Sequence, residues 1–134
     1  MFLQYYVTES ATGNRVNIEI DAATQADLDA TRNGWQTVWN TDFILDPQKE
    51  KYAARTEDGE IIALGAYRVR KGSVAVYIAY IESQPESNPT LTEHKKYSGI
   101  GKAMIAFGIQ LSIDASCNGV VVFEAKTEDR KSVV

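Results

Sequence analysis

A chain of 134 residues, 44% hydrophobic and 24% charged, with no low-complexity tract and no internal repeat, reads as a single domain spanning 1–134 that can bury a core without metal or disulfide help. Its formal charge of -4 argues against a nucleic-acid partner, because such proteins need a net or clustered positive surface to displace counterions from phosphates. The single cysteine, Cys117, excludes an intramolecular disulfide and a cysteine-based metal site; with no basic leader and no run of about 18 apolar residues, the expectation is a soluble cytoplasmic protein that neither enters a membrane nor holds a metal.

In chain order, "LQYYVT" (3–8) and "RVNIEI" (15–20) are β-rich and flank "ESATGN", whose Gly13 and Asn14 tolerate the positive φ of a hairpin turn. From 21 to 44 the pattern turns helical, with Asp21 or Thr24 as cap and Leu28, Trp35, Val38 and Trp39 as apolar anchors. Asn33 and Gly34 divide it into two predicted helices. Asp46-Pro47 ends the region, because the residue before proline is pushed out of the helical basin. "KYAART", "EIIALGAYRVR" and "SVAVYIAYIES" are then successive strand candidates, joined by "EDGE" and "RKGS", each with a glycine where a tight turn wants one. They predict an antiparallel meander. Its basic tip, Arg68 to Gly72, reads as a solvated hairpin end.

In the last of these strands, period two places Val74, Val76, Ile78, Tyr80 and Glu82 on one face and Ala75, Tyr77, Ala79, Ile81 and Ser83 on the other. Both faces are mostly apolar, as in a central strand covered on both sides. "QPESNPTLTEHKK" follows as a polar surface loop of a length that carries function. Residues 101–116 predict a helix with one stripe of Met104, Phe107 and Leu111 and a second of Ile105, Ile109 and Ile113, hence a helix buried against more than one neighbour. Asn118-Gly119 is the expected left-handed cap, and 120–125 a buried, parallel-type strand.

The helix is entered through Ser98-Gly99-Ile100-Gly101. Two readings of this loop stand side by side. In one, Ser98 is an N-cap and the glycines only shape a turn. In the other, unpaired amides at the positive end of the helix dipole converge on an anion, and the missing Cβ atoms let a diphosphate reach the main chain.

The spacing Lys96-x-x-Gly99-x-Gly101, with a helix after it and a hairpin-fed central strand before it, resembles the acyl-CoA signature of the GNAT superfamily of N-acetyltransferases. The order of elements is also similar: strand, two helices, three antiparallel strands, signature helix, further strand. The likeness covers roughly residues 15 to 125 and implies an α/β (α+β) fold with a mainly antiparallel sheet and helices on both faces. It implies acetyl-CoA as cosubstrate and a small-molecule or peptide amine as acceptor. By the same likeness the amides of Tyr97, Ser98, Gly99, Ile100, Gly101 and Lys102 bind the coenzyme A pyrophosphate, with Lys96 in the first signature place. The backbone of Ile81 and Ser83 pairs with the pantetheine arm like an added strand, and strands 74–83 and 120–125 splay to admit the thioester.

Acyl transfer needs a neutral amine, and deprotonating a lysine-like amine of pKa about 10.4 at pH 7 costs roughly 4 to 5 kcal/mol. A base is the natural device. Glu82, at the end of the central strand, is the candidate, against its alternative as a solvated strand-end carboxylate; Glu124 is the second candidate. A backbone amide between Ile81 and Ser83 is placed to hold the oxyanion. His94, the one histidine, reads as an exposed bystander, Cys117 as a buried inert thiol at the wrong end of a helix dipole, and Trp35 and Trp39 as core or cleft lining on one helix.

Members of the family usually continue with another helix and two more strands, which often bring a tyrosine as general acid. Here the sequence ends in "EAKTEDRKSVV" and no tyrosine follows Tyr97. A natural short form, a fragment, or a protomer completed by another chain are the readings. An apolar strand such as "VVVFEA" at a sheet edge invites pairing, so a homodimer is expected. A non-catalytic acyl-CoA-binding or interaction module is the alternative to the enzyme.

Overall fold

Gly13, at φ 73°, turns the N-terminal hairpin: β1 (Tyr5–Glu9) pairs antiparallel with β2 (Arg15–Ala22), Tyr5 opposite Ile18 and Val7 opposite Val16. In the computed structural model, which describes residues 4–32, 34–37, 39 and 46–124, β2 pairs in turn with β3 (Lys49–Thr56), β3 with β4 (Ile61–Arg68) and β4 with β5 (Val76–Ser83), all antiparallel. Gly59 (φ 86°) and Gly72 (φ 74°) make the tight turns that "EDGE" and "RKGS" predict. A two-residue strand, β6 (Tyr97–Ser98), extends the β1 edge, and β7 (Val121–Phe123) lies parallel to β5. The sheet order is β6-β1-β2-β3-β4-β5-β7. The mixed α+β class read from the sequence is what forms.

The helical region after β2 differs from its prediction. Helix α1 is short, Gln25–Asp29, followed by a 3-10 turn at Ala30–Arg32. Thr24 is its cap, whereas Asp21, the other candidate, lies inside β2 and pairs with Ala53. The second predicted helix falls largely outside the described residues, and residues 34–37 within it are not helical. Trp35 and Trp39 therefore do not share a helix face there: Trp39 is fully buried and Trp35 partly so.

A capping box explains why so short a helix holds. The Asp27 amide donates to Thr24 Oγ1 at 3.2 Å and the Thr24 amide to Asp27 Oδ2 at 2.8 Å. Arg55, on β3, also donates to Asp27 Oδ1 at 2.9 Å. The Arg55 hydrogen bond, helped by those from Thr24, holds the buried Asp27 carboxyl at about 2 against the upward push of burial. A depressed folded value stabilises above the unfolded pKa and is lost as pH falls through the folded one, so on the order of 2 kcal/mol should disappear between roughly pH 4 and pH 2. Urea midpoints measured across that range are expected to fall in the native chain and to flatten in Asp27→Asn.

The crossover from β5 to β7 runs through α2 (Ile100–Asp114). Its first turns pack Ile100, Ala103 and Met104 against Val7, Ile18, Ala54 and Ile62, while Ile105, Phe107 and Leu111 lie over Tyr67, Val76 and Ile78. The opposite sheet face carries Leu28 of α1, Trp39, Leu64 and Ala79. The second predicted stripe is only half realised, since Ile109 and Ile113 are 38% and 54% exposed. Asn118 (φ 60°) and Gly119 (φ 77°) take the left-handed conformation that the sequence predicts, and so does Ser116 (φ 64°).

One departure repositions the candidate chemistry. Tyr67 lies opposite Ile78 but Ala66 opposite Tyr80, so Ala79 is an extra residue in β5 and the strand bulges there. Val76 and Ile78 pack under α2, whereas Tyr80 packs on the α1 face. Period two read straight through had put Val76, Ile78, Tyr80 and Glu82 on one face; the bulge moves the last two to the other.

Candidate functional site

Leaving β5, the chain is buried at first and then runs over the surface through 89–96, as the sequence predicts. Gln84, Ser87 and Asn88 are buried, around a 3-10 turn at Pro85–Ser87. Ser87 Oγ donates to Gln84 Oε1 at 3.0 Å and accepts from the Tyr97 amide at 3.1 Å, which staples both ends of the connection. Glu60, just before β4, gathers the rest: Gln84 Nε2 and Lys96 Nζ each reach Glu60 Oε2 at 3.0 Å, and the Tyr97 hydroxyl donates to Oε1 at 3.2 Å. Burial pushes the Glu60 carboxyl up, but the Gln84, Lys96 and Tyr97 contacts outweigh it and hold the group below the ordinary range. The Glu60 hydrogen bond in turn raises Lys96. Sequence reasoning missed this cluster, for Glu60 reads only as the end of a tight turn.

The route delivers Tyr97 and Ser98 to the β1 edge, Tyr97 opposite Glu9 and Ser98 opposite Thr8. Ser98 is thus a strand residue whose hydroxyl lies 3.3 Å from that of Ser10, and it is not the helix cap. The cap position is Gly99, at φ 87° and ψ 8°, with no side-chain hydrogen bond to the first turn. The Ala103 amide donates back to Gly99 at 3.1 Å, so the amides of Ile100, Gly101 and Lys102 precede the helical ladder and lack a partner within it. A Cβ built on Gly99 or Gly101 meets no atom within 4 Å. Beside Gly99 lies a groove of about 640 Å³ lined by Tyr5, Tyr6, Ser98, Gly99, Lys102 and Ala106, among others. Amides without a helical partner at a positive dipole end, a lysine and free approach suit an anion carrying an apolar or aromatic group.

The other predicted cofactor contacts lie elsewhere. The Gln84 amide donates to the Ile62 carbonyl at 2.8 Å, and alternation then turns the backbone of Glu82 toward β4 and that of Ile81 and Ser83 away from it. Among the described residues, β7 is in register with β5 over Val76–Ile78, closed by the Glu124 amide donating to the Ile78 carbonyl at 2.8 Å. Within that described part, Ile81 and Ser83 present backbone groups beyond the last paired position. They do not line the groove at Gly99. The loop joins the sheet at β1, four strand spacings from β5, on the order of 19 Å at about 4.8 Å each.

Both carboxylate candidates are engaged. Glu82 is 4% exposed, so it is not the solvated strand-end group. Its Oε2 accepts from the Gln36 amide at 2.7 Å, its Oε1 from the Trp39 indole at 2.9 Å, and the Thr37 amide reaches both oxygens at 3.2 and 3.3 Å. Glu124 Oε2 lies 2.8 Å from Arg68 Nε. That contact is an ion pair rather than an aligned hydrogen bond, since among the described residues the Nε–H finds no acceptor along its axis. Arg68, read as part of a solvated tip, instead joins Glu124, Asp46 and Gln48. His94 is exposed, and Cys117 is buried with its Sγ near the Arg70 and Ala115 carbonyls.

β7 is less covered than its apolar sequence predicts, with Val122 and Phe123 at 42% and 62% exposure. Among the described residues, no cluster of three or more His, Cys, Asp or Glu side chains is placed to hold a metal ion, and no helix is long and apolar enough to cross a membrane. No protein-family model matches this chain, and no curated protein matches it.

Proposed function

We propose that the chain is an N-acyltransferase of the GNAT kind, passing the acetyl group of acetyl-CoA to a primary amine of a small molecule or peptide. The observation that carries this reading is the start of α2, which has no side-chain cap and is entered through a left-handed Gly99 that lines a groove together with Lys102, with open space at Gly101 as well. The amides of Ile100, Gly101 and Lys102 hold the pyrophosphate. The outward backbone of Ile81 and Ser83 takes the pantetheine amides as an added strand, with the arm running along the sheet end between the two. A neutral amine attacks the thioester carbonyl, an outward amide of β5 steadies the oxyanion, and coenzyme A leaves as the thiol after the amine proton is passed on.

The second reading, a non-catalytic acyl-CoA-binding module, is favoured by one specific observation: of the carboxylates best placed by sequence, Glu82 has both oxygens committed to protein donors and Glu124 is ion-paired with Arg68. Acetyl-CoA turnover against a panel of amines, with coenzyme A binding measured by calorimetry, separates the two. Turnover supports the enzyme, binding alone supports the module, and neither would remove both. The proposal keeps a second copy of the chain as the partner that covers the exposed β7 edge. A monomer by light scattering at micromolar concentration would contradict that part.

A further inference from the structure

Resting on the acyltransferase reading, we infer that Glu82 is a positioning residue: its carboxylate is the latch that fixes Gln36, Thr37 and Trp39 as a wall of the amine site, and it is not the base. Each of the three is also fastened elsewhere. Thr37 Oγ1 lies 2.8 Å from the Tyr80 hydroxyl, the Trp39 amide donates to Thr31 Oγ1 at 2.9 Å, and Asn88 Nδ2 donates to Gln36 Oε1 at 3.1 Å. At the centre are the two amides and the indole N–H on Glu82. These are donors only, and a carboxylate that accepts from all of them is satisfied as an anion.

A base must take up a proton in every turnover. Protonating either Glu82 oxygen would set an O–H against an N–H and break the latch each cycle. The Ala79 bulge explains the placement, for it turns Glu82 to the α1 face, under Trp39. On that face Thr37 meets Tyr80, while Gln36, Thr37 and Trp39 meet Glu82; Tyr80 and Glu82 flank Ile81 in β5, whose outward backbone is where the proposed reaction puts the acyl carbonyl. The amine reaches that carbonyl past a wall whose position depends on one buried carboxylate.

Glu82→Gln and Trp39→Phe test the assignment together. Glutamine keeps the size but sets an NH2 against one of the donors; phenylalanine removes one donor and leaves the carboxylate intact. Amide hydrogen exchange at Gln36 and Thr37 should quicken at least tenfold in Glu82→Gln and less in Trp39→Phe, with coenzyme A affinity unchanged in both. Both variants should raise the amine KM, by tenfold or more in Glu82→Gln, and leave the acidic limb of the kcat/KM pH profile where it is. Unchanged exchange would overturn the latch. So would a Glu82→Gln enzyme with a normal amine KM, a collapsed kcat and no acidic limb, which is the behaviour of a lost base. If the native chain turns over no amine, the acyltransferase reading has failed, and the latch is decided by exchange alone.

Discussion

Replacing Gly101 by glutamate is expected to weaken coenzyme A binding about a thousandfold while leaving the fold as stable as before, or slightly more so. Gly101 has helical geometry and open space around its Cβ position. A side chain there costs no contact, glycine is worse than most residues inside a helix by roughly 0.5–1 kcal/mol, and a carboxylate in the first turn complements the dipole. The same carboxylate occupies the space proposed for the pyrophosphate. One like charge at about 4 Å with an effective dielectric near 20 costs about 4 kcal/mol, the origin of the factor. Gly99→Glu confounds the two effects, because Gly99 is left-handed at φ 87° and a side chain there costs roughly 1–2 kcal/mol of strain. A Gly101→Glu chain that binds coenzyme A normally would rule out the loop as the site.

The largest loss of stability is expected from Gly65→Ala, in the middle of β4. A Cβ there would lie 2.7 Å from Tyr67 Cε1 and 2.9 Å from both Tyr67 Oη and Met104 Cε. The methionine can swing away, but the tyrosine cannot. Its ring is fully buried, its far edge lies 3.2 Å from where a Cβ on Gly108 of α2 would be, and its hydroxyl donates to the Met104 carbonyl at 2.8 Å. Tyr67 thus keys α2 onto the sheet between two glycines. Moving it adds overpacking of about 1–3 kcal/mol to a strained or broken hydrogen bond of about 1 kcal/mol. For a chain of this size that lowers the melting temperature by on the order of 10 °C. Tyr67→Phe, which keeps the ring and loses only the hydroxyl bond, should cost about 1 kcal/mol. A Gly65→Ala protein that melts within a degree or two of the native chain would show that Tyr67 is not so confined.

The strands were legible wherever alternation and turn glycines agreed, as at Gly13, Gly59 and Gly72, because both signals are local. The crossover through α2 was legible from its stripe of Met104, Phe107 and Leu111. The bulge at Ala79 was not, since nothing in "VYIAYIES" distinguishes a strand that slips by one residue from one that runs straight, and the slip is set by packing on both faces. It reversed the face assigned to Glu82. Ser98 looked like a cap by type, yet strand pairing with Thr8 claims it and leaves the cap to Gly99. The Glu60 cluster was hidden for another reason: its partners lie 24 to 37 positions from Glu60, and no periodicity links residues that meet only when a connection folds back over the sheet end.

The central claim is that coenzyme A is held by the amides that open α2. Titrating coenzyme A into the native chain while following its backbone amide resonances tests this most directly. The account expects the largest shifts at Ile100, Gly101 and Lys102, saturating together, with a second set at Ile81 and Ser83. Shifts confined to other surfaces, or none at millimolar coenzyme A, would contradict it.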